Sequence, residues 1–243
     1  MKHLDLFSGI GGFALAAQWS GIETVAFCEK DDFCRSVLRK HWPGRPVYRD
    51  IKELSGEQLQ SDGISADVLT GGFPCQPYSV AGDRRGKGDD RDLWPEMLRI
   101  IREVEPAWVV GENVRGIIGM ELDQVLSDLE ESDYSCESFV VPACAVDAPH
   151  RRERVWIVAN SNGKGLQVPK QKDPERKNWK LERSGSFGIS RWPAEPGVLR
   201  ISHGVPNRVD RLKSLGNAVV PQIPYVIFEV IKDVESQRLE ISS

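Results

Sequence analysis

The sequence predicts an α/β fold: a doubly wound, mostly parallel sheet with a small irregular lobe. Three observations predict it. Short apolar runs alternate with helix-period patterns through the first 160 residues, the order that a parallel sheet with crossover helices requires. The first run, KHLDLF, breaks at once into SGIGG and a helix pattern, a strand–glycine turn–helix unit. The stretch 161–207 is polar and basic, dotted with Gly, Pro and Trp, and has neither period.

The elements follow in order. After KHLDLF, GFALAAQWSG has helical spacing and ends on Gly21. ETVAFCE reads as a second strand and DDFCRSVLRKHW as a helix with acidic caps. ADVLTGGF, PAWVVGEN, CESFVVPA and RVWIVAN read as further strands, with DLWPEMLRIIREVEP and ELDQVLSDLEES as helices between them. Ser79–Asp92 is glycine-rich, charged and aperiodic, the composition of a functional or mobile loop. A helix pattern returns at Val209, and PQIPYVIFEVIKDVE reads as the last helix. The expected division is a catalytic body over 1–160 and 208–243, with a small basic recognition segment over 161–207.

Composition narrows the function. Of 243 residues, 40% are hydrophobic and 28% charged, which supports a real core and argues against a disordered chain. No apolar run approaches the roughly 18 residues of a membrane helix. MKHLDLFSGIGG turns into the glycine loop too early for a signal peptide. Cys28, Cys34, Cys75, Cys136 and Cys144 form no CxxC pair, so neither a disulfide framework nor a zinc site is expected, and a reducing cytoplasm is the natural compartment. The net charge of −4 hides an asymmetry: His150–Lys213 holds 15 Lys+Arg against 6 Asp+Glu. A basic segment on an acidic body suits a polyanion partner, though a solvated basic face would have the same composition.

Candidate site residues lie at the strand ends. Gly9, Gly11 and Gly12 separate strand from helix, where glycine permits a tight turn and close ligand approach. Glu29 follows Gly9 by 20 residues, at the end of the second strand, a placement that suits two ribose hydroxyls. Asp50, in YRDI, could take the amine of an adenine. Ala14 replaces the third glycine of a GxGxxG pattern, which favours an adenosine ligand without a pyrophosphate, such as S-adenosylmethionine. In GGFPCQPYS, Cys75 sits in a proline-bounded turn just past a strand, where its thiolate would be a strong nucleophile if cations lowered its pKa. The other four cysteines sit in apolar patterns and read as packing. GENVRG places Glu112 and Asn113 beside the Cys75 loop, where a half-buried glutamate could share a proton with a ring nitrogen. In HRRERVWIVA, Arg152 and Arg154 stand two apart at a strand entrance, so both are expected on one side.

Taken together, DLFSGIGGF, GGFPCQPYS, GENVRG, HRRERVWIVA and RLKSLGNAVVP resemble the ordered motifs of the DNA cytosine-5 methyltransferases. The resemblance covers residues 2–160 and 208–232. It implies a Rossmann-like, S-adenosylmethionine-dependent enzyme that methylates carbon 5 of a flipped-out cytosine in double-stranded DNA. It implies Cys75 as the nucleophile, Glu112 at ring nitrogen 3, and Arg154 with Arg152 at the ring oxygen. Phe7, Gly9, Gly11, Glu29, Asp50 and Ile51 match cofactor-binding positions, and Asn217 and Ala218 match the segment that closes that pocket. Ser79–Arg91 would fold over DNA. The segment 161–207 would read the DNA sequence, and is short for the family, so a short or degenerate site is expected; Trp179 and Trp192 read as its small core. The expected enzyme is a metal-free monomer, with a restriction endonuclease acting on the same site as a conceivable partner. The rival readings are an RNA cytosine-5 methyltransferase, a catalytically silent DNA-binding relative, and a nicotinamide oxidoreductase. The cysteine-phenylalanine-threonine signature of the transfer-RNA enzymes is absent from 161–207.

Overall fold

The computed structural model describes residues 1–74, 93–161 and 208–242. Seven strands form one sheet in the order β3-β2-β1-β4-β5-β7-β6. They are β1 (Lys2–Leu6), β2 (Glu23–Cys28), β3 (Val47–Tyr48), β4 (Val68–Gly71), β5 (Trp108–Val114), β6 (Tyr134–Pro142) and β7 (Glu153–Ser161). The first five run parallel. β7 is antiparallel to both β5 and β6. The mostly parallel sheet expected from the sequence is therefore present, with one reversed strand. The apolar pattern predicts helices and crossovers but not the reversal, because a strand buried on both faces looks alike in either direction.

Strand order turns between β1 and β4, so the carboxyl ends of β1, β2, β4 and β5 open a crevice at a topological switch point. β7 enters the sheet at that same edge, since Arg154 pairs with Val114 at the end of β5.

Helices cover both faces. On one, α1 (Gly12–Trp19) and α7 (Gln222–Ser242) enclose a cluster containing Phe13, Val68, Val110, Trp156 and Phe228. On the other, α3 (Gly56–Ser61), α4 (Trp94–Val104) and α5 (Leu122–Glu130) bury Leu59, Met97, Ile100, Ile101, Val125 and Leu129 against Leu4, Leu6, Leu69 and Val109. In α4 the burial of Met97, Ile100 and Ile101 follows helical spacing, and Pro stands in its first turn, where its missing N–H costs nothing. α2 (Asp32–His41) starts as its acidic pair suggests: the Asp31 carboxylate accepts from the Phe33 and Cys34 amides. α6 (Arg208–Asn217) precedes α7. The short α3 carries too little periodic signal for the sequence to predict it.

Candidate active site

Every described residue singled out near a strand end lies along the carboxyl edge. β1 leads into the glycine loop. Gly9 and Gly11 have φ of +52° and +87°, backbone that side chains rarely adopt. A Cβ at Gly9 would meet nothing within 4 Å, so the loop presents open backbone to the crevice. At Gly11 a Cβ would come within 2.6 Å of the Trp42 ring, and at Gly12 within 3.0 Å of the Val219 carbonyl. Phe7, just after β1, also has positive φ (51°), which marks the turn as strained.

Glu29 follows β2 and is tied to this loop. Its Oε2 accepts from the Gly9 amide at 2.7 Å and its Oε1 from the Asp31 amide at 2.8 Å. Each carboxylate oxygen has a second lone pair free, so the group is both oriented and able to accept two hydroxyls. Asp50 stands two residues past β3; its carboxylate pairs with Lys30 at 3.0 Å and accepts from the Lys52 amide at 3.1 Å. Ile51 is buried, and its carbonyl accepts from Arg99 at 2.8 Å. Its side chain belongs to the core more than to an open pocket. α6 lies over the start of α2: Lys213 reaches the Asp31 carboxylate at 3.4 Å and Cys34 Sγ lies 3.4 Å from Ser214 Oγ. Beyond α6, Val219 lies against Gly12 of the glycine loop, and next to it in the chain stand Asn217, exposed, and Ala218, half-buried. Oriented carboxylates, bare loop backbone and a closing segment fit an adenosine-type cofactor.

The second group stands at the ends of β4, β5 and β7. Glu112 is 9% exposed, and its Oε1 pairs with Arg154 Nε at 2.8 Å. Burial raises the Glu112 pKa, opposed by the charges of Arg154 and Arg152. A Cβ at Gly72 would sit 3.4 Å from Glu112 Oε2, so the segment leaving β4 runs close against this carboxylate. Asn113, buried beside it, donates to the Phe73 carbonyl at 2.9 Å and accepts from the Val114 amide at 2.8 Å. It thus holds the chain two residues before Cys75. In the sequence only the adjacency of Asn113 to Glu112 marks it, and its task is visible only in the fold.

Both arginines lie close enough to Glu112 for their charges to lower its pKa, though strand alternation is not what brings them there. β7 begins at Glu153 and Arg152 has φ +28°, so the extended geometry that would align them ends before Arg152. Arg154 turns to Glu112, whereas Arg152 Nη2 donates to the Ala218 carbonyl at 2.8 Å. Cys75, Ser79–Asp92, Trp179, Trp192 and the rest of 162–207 lie outside the described residues.

The remaining cysteines divide. Cys28 and Cys34 are buried, and burial pushes their thiols up to about 12 and about 11. Cys136 is half-buried with a raised pKa, again chiefly from burial. Cys144 is exposed, not packed as its apolar surroundings suggested, because it lies in a surface 3-10 turn, Ala143–Val146. Among the described residues no cluster of His, Cys, Asp and Glu could hold a metal, and no helix is long and apolar enough to cross a membrane.

A parallel sheet with one reversed strand beyond β5 and a glycine loop at the switch point is the fold of the Rossmann-like methyltransferases. Comparison with known proteins narrows the class. The family model for C-5 cytosine-specific DNA methylase matches residues 1–190. Type II methyltransferase M.AquIA of Picosynechococcus is 34% identical over 186 residues, which cover 69% of this chain and 75% of that protein. Type II methyltransferase M.HhaI of Haemophilus parahaemolyticus is 32% identical over 172 residues, covering 69% of this chain but 51% of that one. Among solved structures, a putative DNA modification methyltransferase from an Escherichia coli prophage matches in fold with a TM-score of 0.59 at 23% identity, covering 70% of this chain and 49% of that one. A DNMT2 variant from Spodoptera frugiperda matches with a TM-score of 0.58 at 24% identity, covering 71% and 53%. The chain belongs to the C-5 cytosine-specific DNA methylase family, and membership implies S-adenosylmethionine as methyl donor.

Proposed function

We propose that the protein methylates carbon 5 of cytosine in double-stranded DNA, through a covalent bond to Cys75. The observation that carries this reading is the buried Glu112–Arg154 pair at 2.8 Å, set against the segment that leads into Cys75. Carbon 5 of cytosine is a poor nucleophile, so the chemistry needs a nucleophile for carbon 6 and an acid at nitrogen 3. S-adenosylmethionine, held by the glycine loop, Glu29 and Asp50, supplies an electrophilic methyl group when bound. The Cys75 thiolate adds to carbon 6 of the base. Glu112, whose pKa burial raises, donates a proton at nitrogen 3, so the ring becomes an enamine whose carbon 5 carries the electron pair. Arg154 holds the ring oxygen and keeps Glu112 aimed. After methylation carbon 5 loses its proton to a base, the carbon–sulfur bond breaks with its electron pair on the departing thiolate, and nitrogen 3 returns its proton to Glu112. None of these atoms can be reached within a stacked duplex, so the cytosine is flipped out. Segment 161–207, the basic part of the chain, reads the site: cations on phosphates fix register, and a few side chains at base edges choose the sequence.

Bisulfite sequencing of DNA from cells making the protein tests activity and site together. Methylated cytosines in a common short context are expected for the wild type and none for Cys75→Ser, whose hydroxyl is a far weaker nucleophile. DNA containing 5-fluorocytosine is expected to be trapped on Cys75, because fluorine cannot leave as the proton does. Methylation by the serine variant, or an adduct at another cysteine, would overturn the mechanism.

A further inference from the structure

We propose that Arg152 is a positioning residue that couples closure of the cofactor pocket to the Glu112–Arg154 pair. Its guanidinium donates to the Ala218 carbonyl at 2.8 Å, although its charge is also felt at Glu112. An arginine serving only to balance Glu112 would point at that carboxylate, as Arg154 does. Its backbone is held as well: the Ala143 amide donates to the Arg151 and Arg152 carbonyls at 2.8 and 3.3 Å, and φ at Arg152 is +28°. Such a conformation persists where the surroundings impose it. On the far side, Val219 packs so closely on Gly12 that a Cβ there would come within 3.0 Å of its carbonyl. The contacts therefore run without a gap from the glycine loop through Val219 and Ala218 to Arg152, and along the chain to Arg154. A cofactor that orders the loop would order the acid–arginine pair by the same contacts, and the reverse must hold by linkage.

The inference rests on the function proposed above, and one experiment separates the two. Affinity for S-adenosylhomocysteine is measured by calorimetry without DNA, on the full chain, for the wild type, Arg152→Met, Arg152→Lys and Arg154→Met. Binding by the wild type is the condition set by the proposed function; its absence would overturn that reading. Arg152→Met keeps the apolar stem, removes the donor, and is expected to weaken binding about tenfold, the scale of one charge-assisted hydrogen bond. Arg152→Lys restores one donor and is expected to recover most of that loss. Arg154→Met leaves the Ala218 contact in place but breaks the pair, and by linkage is expected to weaken binding, though less than Arg152→Met. In tritium-transfer assays on sheared genomic DNA, Arg152→Met is expected to raise KM for S-adenosylmethionine as well as lower kcat. Thermal melts confirm that each variant is folded. Unchanged cofactor affinity in a folded Arg152→Met, with only kcat reduced, would make Arg152 a catalytic contact and overturn the inference.

Discussion

Glu112 is held between two opposing influences: burial raises its pKa, and two neighbouring guanidiniums pull it down. The net direction is upward, so the proton is retained to higher pH than on a free glutamate. In the proposed reaction that proton is used, and activity is expected to fall as pH rises through the raised pKa. The alkaline limb of the pH–rate profile should be missing in Glu112→Gln, whose amide has no proton to lose in that range; an unaltered limb would assign it to another group. Glu29 illustrates the opposite economy. Both its oxygens are already fixed by backbone amides, so a ligand finds it in place. Glu29→Ala is expected to weaken S-adenosylmethionine binding by about 1.5–3 kcal/mol, the range for hydrogen bonds to a charged group; calorimetry checks this.

Among elements, the glycine loop shows most clearly how packing and function share residues. Gly11 combines positive φ with a tryptophan ring where its Cβ would be. Gly11→Ala is expected to destabilise the fold by about 1–3 kcal/mol through overpacking and backbone strain, read as a lower urea midpoint. Gly9 has positive φ but open space, and there substitution should touch the ligand before the fold. The sequence made these glycines legible as a loop, because they interrupt an apolar run before a helical one. It could not show which was for packing, since Trp42 and Val219 are distant along the chain. Glu112 and Arg154 were legible for the same kind of reason: strand patterns end beside them. The task of Arg152 was hidden. Its partner is a backbone carbonyl 66 residues away, and alternation along a strand is silent on it because the strand begins one residue later.

At the scale of the whole molecule, a polar chain crosses the middle of the sheet. His3, fully buried, lies 2.9 Å from Thr24 Oγ1 and 2.7 Å from Thr70 Oγ1, and Thr70 donates to Asp5 at 3.0 Å. Burial pushes the Asp5 carboxyl from 3.8 up to about 8 and His3 from 6.5 down to about 3. Between about pH 4 and 8 the native state holds a proton on Asp5 that the unfolded chain has lost, so this group lowers stability as pH rises. Between about pH 6.5 and 3 the unfolded chain protonates His3 while the native state does not, so stability also falls as pH drops. Asp5→Asn keeps an acceptor for Thr70 and removes the first effect. The urea midpoint of the wild type is expected to fall relative to that variant from pH 5 to pH 8; parallel curves would show that Asp5 does not titrate in this range.

The packing of α7 has a consequence for how the molecule is made. Phe228 and Ile231 of α7 close the cluster that also holds Phe13 of α1, Val68 and Trp156, and Glu235 accepts from Trp108 at 2.8 Å. These partners leave the ribosome long before α7 does. All seven strands can emerge and pair while that face of the sheet is covered by α1 alone. Synthesis at about 5–20 residues per second leaves that face partly open for seconds to tens of seconds. During that interval the nascent chain is a substrate for chaperones or for its own neighbours on the polysome. A ribosome stalled before residue 222 would display a sheet with one face only half covered.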